Sequence, residues 1–174
     1  MRFLALFFVI LVSLVSCKSG EAEQKESSLD IDSVQIDTSI RDELSKVKGK
    51  GMLFGHQDDL AYGIDWKYQK GASDVKRVSG DYPALFGWEL GGIERGDLNN
   101  LDSVPFDRMR NLAIYAHAMG GINTFSWHPY DPIQGNSSWT KNADVVRHIL
   151  PGGSHHHEFK NQLDRLSEFL KSFK

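Results

Sequence analysis

Apolar positions along the chain fall into three kinds of pattern. An unbroken apolar run fills residues 3–12, directly after the positive charge of Arg2, and gives way to Ser13-Leu14-Val15-Ser16-Cys17. Residues 18–39 carry isolated aliphatics among Ser, Glu, Lys, Gln and Asp, with no aromatic residue. That is too little apolar surface to offset the entropy lost on ordering, so a disordered tether is predicted there. From residue 40 onward, short β-prone runs alternate with helical spacings. The runs are Gly51-Met52-Leu53-Phe54-Gly55, Ala84-Leu85-Phe86-Gly87-Trp88 and Gly121-Ile122-Asn123-Thr124-Phe125-Ser126-Trp127. Their alternation with helices predicts βαβ units around a parallel sheet.

Between the second and third runs, Phe106, Met109, Ala113, Ile114, Ala116 and Ala118 recur at roughly helical spacing. They predict a helix over 106–119 that Gly120 and Gly121 close. A last amphipathic helix, over 158–173, sets Phe159, Leu163, Leu166, Phe169 and Leu170 on one stripe with charges opposite. That stripe needs a sheet beneath it, and a parallel βα order would feed a further strand after the helix. Residues 40–174 are therefore expected to form one domain holding about three βα units, the repeat from which (β/α) barrels are built, cut short at Lys174. No internal repeat is visible.

The amino-terminal layout is that of a signal peptide. Its apolar run is shorter than the about 20 residues needed to cross a bilayer core, and Leu14-Val15-Ser16-Cys17 resembles a bacterial lipobox. Residues 1–17 are accordingly expected to be a lipoprotein signal peptide, with Cys17 lipidated and its acyl chains holding the protein to a membrane. This places the protein at the bacterial cell envelope, on the outer membrane, facing the periplasm or the cell surface. Cys17 is the only cysteine, so the fold is held by packing and not by disulfides. A formal charge of −3 with Lys and Arg scattered along the chain leaves no basic stripe and argues against a nucleic-acid partner.

Each β-prone run ends in a polar cluster: His56-Gln57-Asp58-Asp59, then Glu89-Leu90-Gly91-Gly92, then His128-Pro129-Tyr130-Asp131-Pro132. Barrels of this kind build their sites at the carboxyl ends of the strands, so three clusters falling there together point to site building. The competing reading is that His56 and Glu89 cap helices or satisfy loop amides. A second constellation, His155-His156-His157-Glu158 with His56 and His128, has ligand types suited to zinc or nickel and would make a secreted metallohydrolase. Adjacent histidines project in different directions, unlike a pair four apart on one helix face. Ser154 is better read as an N-cap with the histidines in the first turn, and no metal is expected.

Four blocks carry a family resemblance: Gly51-Met52-Leu53-Phe54-Gly55-His56-Gln57, Gly87-Trp88-Glu89-Leu90-Gly91, Thr124-Phe125-Ser126-Trp127-His128-Pro129, and Ile149-Leu150-Pro151-Gly152-Gly153 with the helix after it. From about residue 40 to the end the chain resembles the opening part of glycoside hydrolase family 26, the endo-β-1,4-mannanases. The resemblance implies an α/β chain of the (β/α)8 TIM-barrel family, monomeric when whole, that hydrolyses β-1,4-mannosidic bonds of mannan, galactomannan or glucomannan with retention and without a cofactor. Retention uses two carboxyl groups about 5–5.5 Å apart. Similar proteins place them on the fourth and seventh strands, the first in an Arg-Pro-x-x-Glu block that this sequence lacks. No catalytic carboxylate is therefore assigned, and the chain alone is expected to be inactive.

The substrate-binding residues implied are His128 as a hydrogen-bonder to a mannosyl hydroxyl and Trp127 as a wall of the pocket. Trp139 is read as a platform for a distal sugar ring, His56 and Gln57 as lining of the same cleft, and Glu89 as a positioning residue. A non-catalytic mannan-binding surface lipoprotein, using the same aromatics, is the alternative.

Overall fold

The computed structural model describes residues 40–139, 141 and 144–173. The signal peptide, Cys17 and the tether of residues 18–39 lie outside the described residues. In chain order come α1 (Ile40–Val47), β1 (Gly55–Gln57), a small hairpin of β2 (Tyr62–Gly63) and β3 (Trp66–Lys67), α2 (Asp74–Ser79), β4 (Leu85–Glu89), a 3-10 turn (Ile93–Arg95), α3 (Phe106–Ala118), β5 (Ile122–Ser126), α4 (Val145–Ile149) and α5 (His156–Lys171). Strands β1, β4 and β5 form a parallel sheet in that order. Among the described residues no helix is long and apolar enough to cross a membrane.

The second and third strands lie where the apolar runs predict them. The first is displaced: it begins at Gly55, where the predicted run ends, and Met52 and Phe54 are 90% and 59% exposed. A strand exists only where a ladder partner meets it. That partner is β4, whose approach begins with the N–H groups of Ala84 and Leu85 donating to the Phe54 carbonyl.

Residues on one face of β4, Phe86 and Trp88, are buried under Met109, Ala113 and Ala116 of α3. The helix ends as its glycines predict, with Gly120 in the left-handed region at φ 88°. The next glycine is required for space, because a Cβ on Gly121 would strike the Phe86 ring and the Ala116 carbonyl. A polar side chain in this layer is engaged at both of its polar atoms. Asn123 accepts from the Trp88 indole N–H at 2.7 Å and donates to the Ala113 carbonyl at 2.8 Å.

Helix α5 lays part of its predicted stripe on this core, with Phe169 edge-on to Phe106 at 5.6 Å, and just past the helix Phe173 meets Phe125 at 5.2 Å. Leu163 and Leu170, on the same stripe, remain 40% and 39% exposed. Arg110 of α3 holds the far end of α5 through the Ser172 carbonyl and hydroxyl, at 2.6–3.0 Å. The amino-terminal end differs from expectation. His155 occupies the N-cap position without a side-chain cap bond, because the Ser154 hydroxyl lies instead between His148 Nδ1 and His155 Nδ1, at 2.8 and 2.9 Å.

Overpacking a buried contact of this kind typically costs about 1–3 kcal/mol. Gly121→Ala is expected to destabilise the chain by about that amount, measured by urea unfolding, with the far-ultraviolet spectrum unchanged.

Candidate functional site

Side chains alternate across a strand with period two, and the register decides which of them share a face. Gln57 pairs with Gly87, Gly87 with Thr124, and Glu89 with Ser126, whereas His56 pairs with Phe86. Gln57, Gly87, Glu89, Thr124 and Ser126 therefore share the face opposite α3 and α5. His56 is on the helix-side face and does not line a cleft with Gln57, as the sequence reading expects; its Nδ1 is 2.9 Å from Asp59 Oδ1. Gln57 does reach the shared face. It lies over Gly87, where any Cβ would collide with its amide oxygen.

Glu89 is the centre of this face. Its side chain is buried, and its carboxylate accepts from the N–H groups of Gly91 at 2.7 Å and His128 at 3.0 Å, the Ser126 hydroxyl at 2.8 Å and His128 Nδ1 at 2.6 Å. Burial pushes its pKa up, but the hydrogen bonds from Ser126, from the His128 ring and from the backbone outweigh it and hold the group below the usual carboxylate range. An ionised carboxylate can only accept, so Nδ1 of His128 carries a proton and Nε2 is the edge left for another partner. Against the His128 ring lies Trp139, nearly parallel at 12° and 5.0 Å between centroids, and itself 68% exposed. Trp139, read from the sequence as a platform for a distal sugar ring, is thus a direct neighbour of His128.

Trp127 points the other way. Its indole N–H donates to Glu94 at 3.1 Å and its ring stacks on Phe159 of α5 at 6.2 Å and 17°. Alternation along the strand explains the difference: Ser126 and His128 look to the Glu89 side, so the residue between them turns to the helix layer. The wall beside His128 is supplied by Trp139.

Several buried polar residues carry no distinguishing signal in the sequence. Glu94 is 1% exposed and accepts from three N–H groups, those of Gly92, the Trp127 indole and Tyr130. Asn100 donates to the Glu89 carbonyl and accepts from the N–H groups of Asp102 and Val104, folding its loop under the end of β4. Asp58 and Asp59, directly after β1, are fully buried, and among the described residues no hydrogen-bond partner meets Asp58 Oδ1 or Asp59 Oδ2. Burial first, then the neighbouring carboxyl of Asp102, raises Asp58 to about 7 against a smaller pull from the Tyr62 hydroxyl. The Asp-Asp pair alone can be suspected from sequence, as the tip of a strand; nothing in its spacing announces its burial.

The histidine triplet does not assemble into a ligand set. His156 Nδ1 faces the Ile149 carbonyl at 2.9 Å, and His157 Nδ1 lies 3.3 Å from the Asn161 amide. Among the described residues no group of three or more His, Cys, Asp or Glu side chains is placed to hold a metal ion.

Two pH-linked outcomes follow from the carboxylates. The lowered Glu89 contributes stability above the ordinary carboxylate range and loses it as pH falls through its folded-state value. Glu89→Gln is therefore expected to cost about 2–3 kcal/mol at pH 7, with the gap to the parent closing toward pH 3 in urea unfolding. Asp58 has the opposite sign, since its contribution is complete below the ordinary range and is lost as pH rises through about 7. Asp58→Asn is expected to gain stability relative to the parent between pH 4 and pH 8, read from the same titrations.

The chain has known relatives. The family model for glycosyl hydrolase family 26 matches residues 31–174. A curated mannan endo-1,4-beta-mannosidase of Bifidobacterium adolescentis is 28% identical over 155 residues, covering 85% of this chain and 15% of its own length. Among solved structures, a family 26 β-mannanase from Bacteroides ovatus superposes with a TM-score of 0.73 at 42% identity, covering 76% of this chain and 39% of that one. A modular endo-β-1,4-mannanase from Cellulomonas fimi gives a TM-score of 0.61 at 36% identity, covering 76% and 31%. The chain thus spans well under half the length of these relatives. Its parallel β1-β4-β5 sheet with covering helices is a part of their (β/α) barrel, and by the match from residue 31 onward the chain belongs to glycosyl hydrolase family 26.

Proposed function

We propose that this chain supplies the substrate-gripping part of an endo-acting hydrolase that cleaves β-1,4-mannosidic bonds in mannan, galactomannan or glucomannan. The observation that carries the reading is the Glu89–His128–Trp139 unit at the carboxyl ends of β4 and β5: a buried carboxylate fixes one edge of an imidazole, and an exposed indole lies flat against the ring. Such a unit offers Nε2 of His128 to a sugar hydroxyl, while the free face of Trp139 suits the apolar face of a sugar ring. Gln57, laid over Gly87 on the same face, lines the floor. Family membership supports mannan as the polymer.

Retention needs an acid/base and a nucleophile about 5–5.5 Å apart. Glu89 and Glu94 are poor candidates for either, because both carboxylates are already surrounded by donors that hold the chain in place. On this reading the reacting carboxylates come from other strands of the barrel, and residues 40–174 position the polymer without cleaving it. We also assign the protein to the cell envelope, anchored through Cys17 with residues 18–39 as tether, on the strength of the lipobox-like Leu14-Val15-Ser16-Cys17.

A chimera in which residues 40–174 replace the matched part of the Bacteroides ovatus enzyme tests the assignment. His128→Ala in that barrel is expected to lower kcat/KM on mannohexaose by about 100-fold, on the order of 2.7 kcal/mol of transition-state stabilisation. Trp139→Ala should act mainly through KM. Unchanged kinetics in both variants would remove the sugar-binding roles of the two side chains, and release of reducing ends from mannan by the chain alone would remove the claim that it only positions.

A further inference from the structure

We infer that Glu94 is a positioning residue for the sugar-facing pair His128 and Trp139, which its own side chain does not hydrogen-bond; the inference rests on the role proposed for that pair. Glu89 secures His128 from the side of β4, through the ring and the backbone N–H. The segment on either side of His128 is secured by Glu94: Oε2 accepts from the Trp127 indole N–H at 3.1 Å and Oε1 from the Tyr130 N–H at 2.8 Å. His128 therefore stands on a short bridge whose two neighbours in contact with Glu94 hang from one carboxylate.

That carboxylate is itself fixed. Glu94 sits in the 3-10 turn Ile93–Arg95, between Gly92 and Gly96, both in the left-handed region at φ 101° and 79°. Its Oε2 also accepts from the Gly92 N–H at 2.9 Å, and its backbone carbonyl accepts from Arg165 of α5. The Arg95 guanidinium lies 4.1 Å over the Tyr130 ring, a second tie between the turn and the bridge. A line of contacts runs from α5 to the turn, to Glu94, to the bridge, and so to the His128–Trp139 stack.

All three donors to Glu94 are N–H groups. A glutamine there would turn an amine toward one of them and leave a buried donor without a partner. The backbone between Trp127 and Tyr130 would then shift, and the stack with it, while the hydrophobic layer beneath is untouched.

The test uses the whole chain and two readouts. The first is the NMR shift of the His128 ring protons, displaced by the ring current of Trp139 at 5.0 Å. The second is calorimetric titration with mannohexaose. In Glu94→Gln, cooperative unfolding should persist, the ring-current displacement should fall by at least about half, and affinity should drop by about 10-fold, the equivalent of 1.4 kcal/mol. Should that variant not fold, Trp127→Phe decides. It removes the indole N–H together with one of the two fused rings, keeps an aromatic ring against Phe159, and should move His128 in the same direction by a smaller amount. Parent-like His128 shifts in a folded Glu94→Gln, or in Trp127→Phe where that variant decides, overturn the inference and leave Glu94 a structural residue. A shift in Glu94→Gln with no mannohexaose binding by the parent chain would instead sink the saccharide reading, with the positioning link upheld.

Discussion

A carboxylate removed from water must be surrounded by donors or it will not remain charged. Around the end of β4 two acids within six residues, Glu89 and Glu94, are surrounded by such donors, and both draw part of them from residues 126–130. The end of β4 with its following loop and the segment that leaves β5 are therefore joined through two carboxyl groups of the first that accept from groups of the second. These bonds tie residues 127–130 to the end of β4 past the ladder, which stops at the Glu89–Ser126 pair. The site exists because burial forces these bonds to be made.

Much of the fold is legible in the sequence because it follows from periodicity. The helix over Phe106–Ala118 begins where its pattern begins and ends at the predicted glycines, strand β5 lies inside its apolar run, and β4 follows its run and extends one residue past it to Glu89. The departures have local causes. Residues 51–53 have a strand-like composition but no ladder partner among the described residues, and pairing is a property of two segments, which no single segment can display. Ser154 has the chemistry of an N-cap, yet two neighbouring imidazoles compete for its hydroxyl.

The candidate site is legible in its location and less so in its orientation. That polar tips gather at the carboxyl ends of strands is a rule of the architecture, and it points to Glu89 and His128. Which of two adjacent residues faces the mouth depends on a register that is off by nothing or by one. Hence Gln57 and His128 lie on the Glu89 side, as expected of cleft residues, while His56 and Trp127 turn to the helix side. Glu94 and Asn100 are beyond its reach, because an acid or an amide in a glycine-rich loop looks the same in sequence whether it is dissolved in water or wrapped in backbone N–H groups. Trp139 stands out by its aromatic character, but its partnership with His128 spans a loop whose path the sequence does not encode by any simple period.

Asn123 imposes a limit on how this architecture can move. By gripping a strand indole with one end and a mid-helix carbonyl with the other, it acts as a pin through sheet and helix. Sliding α3 by a single helical turn, about 5.4 Å, would break both bonds at a part-buried position. Any widening or narrowing of the opening must then come from the connecting segments above the sheet, with the layer below serving as a rigid anvil.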